Sequence, residues 1–283
     1  MAKTDFEIGS SKRESFYWWM RERHSIYQKK QKGEPKPWTT DTVLQRNKFT
    51  NVFRQLDRGT VTLHRFMLTD HYLDPPGCAW NIIWYRLFNW YEHALDPGWC
   101  DTPEYLEERL RLKERRGLQL FTNAHMTVGI AGEPKIDTML RTAKRVYNER
   151  EQIVDQTCRG AGSLRNVFDF IQRYTGIGKF IGYEIVCDFR FTLLLCDSED
   201  RLTWANIGPG CRRGLMRLGM APKLESLHEL YEEAKTECPG LIHYDAEVPF
   251  ELREIEHSLC EFDKYERIRQ GQGTSRMKYR GWA

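Results

Sequence analysis

No apolar run in this chain of 283 residues approaches the length of about 20 residues that a bilayer-spanning helix requires. The opening stretch, Met1-Ala-Lys-Thr-Asp-Phe-Glu7, mixes acid and base and has no apolar core, so it does not read as a secretory signal. The eight cysteines, Cys78, Cys100, Cys158, Cys187, Cys196, Cys211, Cys238 and Cys260, include no C-x-x-C pair and no finger-type spacing with histidine. A disulfide framework and a structural metal are therefore not expected, and reduced thiols in a cytoplasm are. There is no G-x-x-x-x-G-K-[ST], which disfavours a self-contained P-loop kinase. Repeats and low-complexity segments are missing too. The net charge is only +3, so any attraction for nucleic acid has to come from local patches.

What is present is a soluble globular balance, 40% hydrophobic and 29% charged, arranged with helical periodicity. Ser11-Lys-Arg-Glu14 reads as a capping box opening a helix to about Lys32. Thr39 or Thr40 caps a second, with Leu44, Val52, Phe53 and Leu56 on one face. A third spans Ala79 to Leu95, and its aromatics read as core. Pro103 starts a helix that runs to Gly117, and the stretch 118–133 reads as a loop or a short strand pair. Further helices are expected over 136–158, 164–174, 179–189, 212–218, 224–237 and 250–268. The expectation is a mostly α fold: a single helical domain over 1–283, one array with room for two lobes. Its basic tail, at about 265–283, either lies along phosphates or is merely solvated.

Four segments can carry chemistry. Tyr174-Thr-Gly-Ile-Gly-Lys179 is a glycine turn between two helices. Gly176 and Gly178 expose amides at a helix start and Lys179 adds charge, a combination that suits a DNA phosphate; a plain structural turn has the same residues. Gly208-Pro-Gly-Cys-Arg-Arg213 is a second glycine turn, where Gly208 and Gly210 allow close backbone approach and Arg212 and Arg213 can fork onto phosphate oxygens. The third segment holds Lys36, Asp41, Arg54 and Asp57. The last is Glu256–Lys264, where helical spacing puts Glu256, Cys260 and Lys264 on one face and His257 and Glu261 beside it. That set is a surface ion pair in the open and an acid–base set in a cleft.

Taken together, Pro35-Lys-Pro-Trp-Thr-Thr-Asp41 with Arg46, Phe49-Thr-Asn51-Val-Phe-Arg54 and Asp57, then Thr175–Asp188, Gly208-Pro-Gly-Cys-Arg-Arg-Gly-Leu215 and Leu259-Cys-Glu-Phe-Asp-Lys-Tyr265, resemble the alpha-glutamyl/putrescinyl thymine pyrophosphorylases. That family includes the helical domain associated with 5-hydroxymethyluracil DNA kinases. The motifs occur in order over about Arg21 to Lys264; none is placed between Cys78 and Gly160.

The resemblance implies a helical fold akin to helix–hairpin–helix DNA glycosylases, a phage origin, and a site of action in the cytoplasm of an infected bacterium. It implies an amino acid:DNA transferase-like enzyme of thymine hypermodification. An amino acid or polyamine would replace the phosphate on phosphorylated 5-hydroxymethyluracil in DNA, with no cofactor and no metal, and with a 5-hydroxymethyluracil DNA kinase as a possible partner. Reasoning forward from that reaction, Asp188 is the first candidate base, followed by Glu261 and Asp41. Gly208, Gly210, Arg212, Arg213 and Lys264 are assigned to phosphate, and Gly176, Gly178, Lys179, Lys36 and Arg54 to DNA. A glycosylase acting on a modified pyrimidine, and a non-catalytic DNA-binding partner of the kinase, stay open as alternatives.

Overall fold

A computed structural model describes residues 11–122, 129–158, 162–245 and 247–273. The fold is mostly α, with no strand among the described residues. The α-helices are α1 (Lys12–Gln31), α2 (Thr42–Arg46), α3 (Arg58–Leu63), α4 (Pro75–Phe88), α5 (Pro103–Arg115), α6 (Lys135–Asn148), α7 (Arg150–Cys158), α8 (Leu164–Ile171), α9 (Lys179–Phe189), α10 (Pro209–Arg217), α11 (Leu224–Glu237), α12 (Pro239–Ile242) and α13 (Leu252–Arg269). The chain forms two compact units. One is built from the segments up to Asp57 and from Ala205 onward, and the other is the continuous run Arg58–Trp204.

In the discontinuous unit, α1 starts as its sequence dictates. The Ser11 side chain accepts from the Glu14 amide while the Glu14 carboxylate accepts from the Ser11 amide. Its buried face brings Phe16 and Trp19 edge-on against Phe262 of α13, and Trp19 edge-on against Phe49. α10 lies along α13, and glycine makes that approach possible. A Cβ at Gly210 would stand 2.2 Å from the Cys260 sulfur, and one at Gly214 would stand 2.5 Å from the Leu259 carbonyl oxygen. These two positions, one turn apart, let the helix backbones close on each other.

The continuous unit is centred on α4. Cys78 through Phe88 are all buried, and α6, α7 and α9 pack around them. Trp80, Trp84, Tyr85 and Phe88 are therefore core, and the Trp80 ring nitrogen donates to the Ala143 carbonyl at 2.9 Å. Trp90 and Tyr91, beyond the helix end, are half-buried.

Several expected boundaries move. The second helix is only α2, capped by Asp41 rather than by Thr39 or Thr40; Val52, Phe53 and Leu56 follow it in an irregular segment. The third helix stops at Phe88 because Asn89 takes a left-handed conformation (φ 51°). The expected helix over 136–158 breaks at Glu149 into α6 and α7. A π-turn at His64–Leu68 follows α3 where no element was expected. Of the 118–133 stretch, residues 123–128 lie outside the described residues, and no strand appears in the remainder. The expected basic tail begins inside α13, so Arg267 and Arg269 are helical, while Arg276, Lys278 and Arg280 lie outside the described residues. No helix among the described residues is long and apolar enough to cross a membrane, and no group of His, Cys, Asp or Glu there is arranged to hold a metal ion.

Candidate functional site

In the discontinuous unit, the segment 47–57 is pinned by its own polar side chains. Arg23 donates to Asn51 Oδ1 at 2.6 Å and to the Phe49 carbonyl at 3.2 Å. Asn51 donates from its side chain to the Leu56 carbonyl and from its amide to Asp57 Oδ1, and Arg54 pairs with Asp57 at 3.0 Å. Arg54 is thus buried and engaged in building the loop. Arg54, expected at DNA, is here one helical turn from its partner Asp57, a spacing that serves local structure. Lys36 is exposed, with its ammonium 5.3 Å from the Trp38 ring.

The pinned loop presents Thr50 to α13. Its amide donates to Glu261 Oε2 at 3.0 Å, and its hydroxyl lies 2.6 Å from His257 Nε2, the direction of that bond being set by the imidazole tautomer. Lys264 donates to the same Glu261 oxygen at 3.1 Å and to the Lys48 carbonyl at 2.7 Å. Burial pushes the Glu261 carboxyl up, but Lys264, His257 and the Thr50 amide outweigh it together and hold the group below its ordinary value. His257 is pushed down to about 4, first by burial and then by the Arg54 charge, so the ring is neutral near pH 7. Cys260, pushed up to about 12 mainly by burial, is a packing thiol against Gly210. Asp41 has both oxygens occupied: one accepts from the Leu44 amide at 2.7 Å and the other from the Tyr265 hydroxyl at 2.9 Å.

Along the α10–α13 contact, the phosphate candidates fall into three kinds. Gly210 is needed for helix packing. Gly208, the N-cap residue of α10, has open space where a side chain would project and itself offers no side-chain cap. Arg212 and Arg213 are exposed. Arg213 donates from Nε to Asp263 at 2.8 Å, and Arg217 and Arg267 donate to the same carboxylate at 2.7 and 3.2 Å. Burial raises the Asp263 carboxyl, and the bonds from Arg217 and Arg213 more than offset it, leaving it ionised below its usual range.

In the continuous unit, Asp188 has no exposed surface and binds Arg86 through both oxygens, to Nε and, at 2.8 Å, to Nη2. Arg86 is also buried, and donates further to Thr60 Oγ1 and Asn89 Oδ1. The glycine turn joining α8 and α9 is present. Gly176 has φ +84°, and a Cβ there would stand 2.7 Å from the Met139 methyl, so this glycine serves the turn and its packing. Gly178 caps α9 without a side-chain bond and faces open space, and Lys179 beside it is exposed. A helix start with a glycine before it and an exposed lysine as its first residue is an arrangement that suits a phosphate.

Thr50, Arg217 and Asp263 were not among the expected site residues. The spacings 213/217 and 263/267, each one helical turn, were the available signal; nothing in the sequence could have joined Thr50 to His257 across 207 positions.

The family described as "5-hmdU DNA kinase, helical domain" matches residues 10–275 of the chain. A relative named 5-hmdU DNA kinase, from Bacillus phage SP10, is 27% identical over 297 aligned positions, covering 93% of this chain and 46% of the relative. The chain thus spans about half the length of that relative. No solved structure matches it.

Proposed function

Because the chain belongs to the family of 5-hmdU DNA kinase helical domains, we propose that it acts on DNA carrying phosphorylated 5-hydroxymethyluracil and exchanges the phosphate for the nitrogen of an amino acid or polyamine. The observation that carries this reading is that the exposed phosphate candidates, Arg212 and Arg213, and the ionised carboxylate of Glu261 belong to one folded unit, on two helices packed together. Asp188 lies in the other unit with both oxygens on a buried arginine, so the proton-accepting role passes to Glu261, the less enclosed of the two.

In this reading an ammonium group gives a proton to Glu261, and the freed lone pair attacks the exocyclic methylene carbon. The carbon–oxygen bond breaks, and its electron pair departs with the phosphate, whose charge Arg212 and Arg213 stabilise. The target base leaves the stack to reach these groups. In the other unit, Gly178 and Lys179 hold the backbone. Neither ATP nor a divalent ion takes part, and the substituted base and inorganic phosphate form in equal amounts.

A second reading, that the chain holds DNA for phosphorylation performed elsewhere in a larger protein, is favoured by the name of the phage relative and by the chain's covering only 46% of it. The two are separated by incubating duplex DNA bearing phosphorylated 5-hydroxymethyluracil with mixed amino acids and polyamines, without ATP and with chelator, followed by mass spectrometry of the nucleosides. Transfer predicts an amine adduct, slowed on the order of 100-fold in Glu261→Gln. Tight binding without an adduct supports the second reading, and release of free base would instead identify a glycosylase.

A further inference from the structure

The cation-rich group around Asp263 is larger than helix packing requires. A single carboxylate with no exposed surface receives the Nε atoms of three arginines, leaving two positive charges in excess. One arginine already neutralises the acid, and cations that reach solvent are screened, so a second and a third add little to stability. The third also brings repulsion between like charges. The geometry has another consequence. Because Nε is the engaged atom, the guanidinium planes are fixed on their inner side and their outer Nη edges remain for another acceptor. The Arg213, Arg267 and Arg217 side chains are 50%, 39% and 23% exposed. Among the described residues, the Arg217 Nη atoms reach the side-chain oxygens of Gln270 and Gln272, both at 3.4 Å. The close α10–α13 approach allowed by Gly210 and Gly214 is what brings the 213/217 row of one helix to the 263/267 row of the other.

We propose that Arg217 and Arg267, oriented by Asp263, grip a backbone phosphodiester of DNA. This rests on the reading that the chain acts on DNA and extends the contact to residues that reading does not use, Arg217, Arg267 and their organiser Asp263. A guanidinium edge matches two phosphate oxygens, and a guanidinium already held on one side loses less freedom on binding than a free side chain. Arginines tied down on the inside and presenting only outer edges meet a ligand laid across the surface. A DNA strand is such a ligand. Asp263 is a positioning residue here: it makes no contact with DNA and sets the direction of the two side chains that do.

The test uses the full chain and a fluorescent duplex containing only ordinary thymine, with affinity measured over a salt series. A parallel duplex carries the phosphorylated base. Arg267→Gln leaves Asp263 paired with two arginines and keeps the fold; Arg217→Gln is then added to it. The single variant should bind plain duplex more weakly, with the log–log salt slope reduced by about one, and the double variant by about two. Wild-type affinity and slope in both variants, with melting unchanged, would remove the grip while leaving the DNA reading intact. A defect confined to the phosphorylated duplex would overturn the backbone assignment in favour of the base phosphate. Failure of the wild-type chain to bind any duplex would sink the DNA reading and this occupant with it.

Discussion

The two units treat a buried acid in opposite ways. In the continuous unit, Asp188 faces one arginine, itself buried, which also donates to Thr60 and Asn89 and lies 3.8 Å from the buried Glu184 carboxylate. In the discontinuous unit, Asp263 is equally buried but faces three arginines, all of which reach the surface. The first arrangement is closed: one arginine serves two carboxylates, Asp188 and Glu184, and all three side chains are buried. The second is open: the acid satisfies one face of each arginine and the net charge remains positive. A sequence that shows only an acid and some arginines cannot distinguish them. The comparison teaches that the count of partners, and whether those partners are exposed, separates an architectural ion pair from a recognition surface.

The largest expected effect breaks the closed pair. Removing one partner of a buried ion pair costs about 3–5 kcal/mol because the other charge is left uncompensated. Arg86→Met and Asp188→Leu should each lower the thermal midpoint sharply, and the double variant should recover much of the loss. A recovery of that kind identifies an architectural pair. A stable Asp188→Asn protein that has lost transfer would instead return Asp188 to the reaction.

The next effect concerns the helix contact that assembles the open group. Gly214→Ala places a methyl 2.5 Å from a backbone carbonyl that cannot move aside, so a loss of about 1–3 kcal/mol is expected in denaturant unfolding. DNA binding should weaken with it, because the two arginine rows are pushed apart. Retained stability would mean that α10 slides easily on α13.

Acid should affect both units together. His24 and His257 in one, and His64 and His93 in the other, are all pushed down to about 4, each chiefly by burial. The unfolded chain takes up these protons near pH 6.5 and the folded chain only near 4, so stability falls as pH drops through that window. Hydrogen exchange resolved by segment should show protection declining in both units between about pH 6.5 and 4. A decline in one alone would show that the other keeps its imidazoles in a different state.

The smallest effect is at Gly178. Its φ of −83° suits any residue, and a Cβ there meets nothing within 4 Å. Gly178→Ala should leave melting within about 1 kcal/mol of the parent while weakening DNA binding, if a phosphate approaches the α9 amides. Unchanged binding would confine DNA contact to the discontinuous unit.

Periodicity and end signals by themselves determined the helical class, the start of α1, most of the later helices and the glycine turn before Lys179, because these depend on residues three or four positions apart. The same local reasoning located Glu261, Lys264, Arg212 and Arg213 on helices. It misjudged α2 and the end of α4, where an Asp cap and a left-handed Asn override propensity. Only the tertiary structure decided what these side chains are for. Asp188 depends on Arg86, 102 residues away, Glu261 on Thr50, 211 away, and Asp263 on Arg213, 50 away. A charged group acquires its role from the partners that burial brings within hydrogen-bond reach, and burial is a property of the folded chain rather than of any local stretch of it.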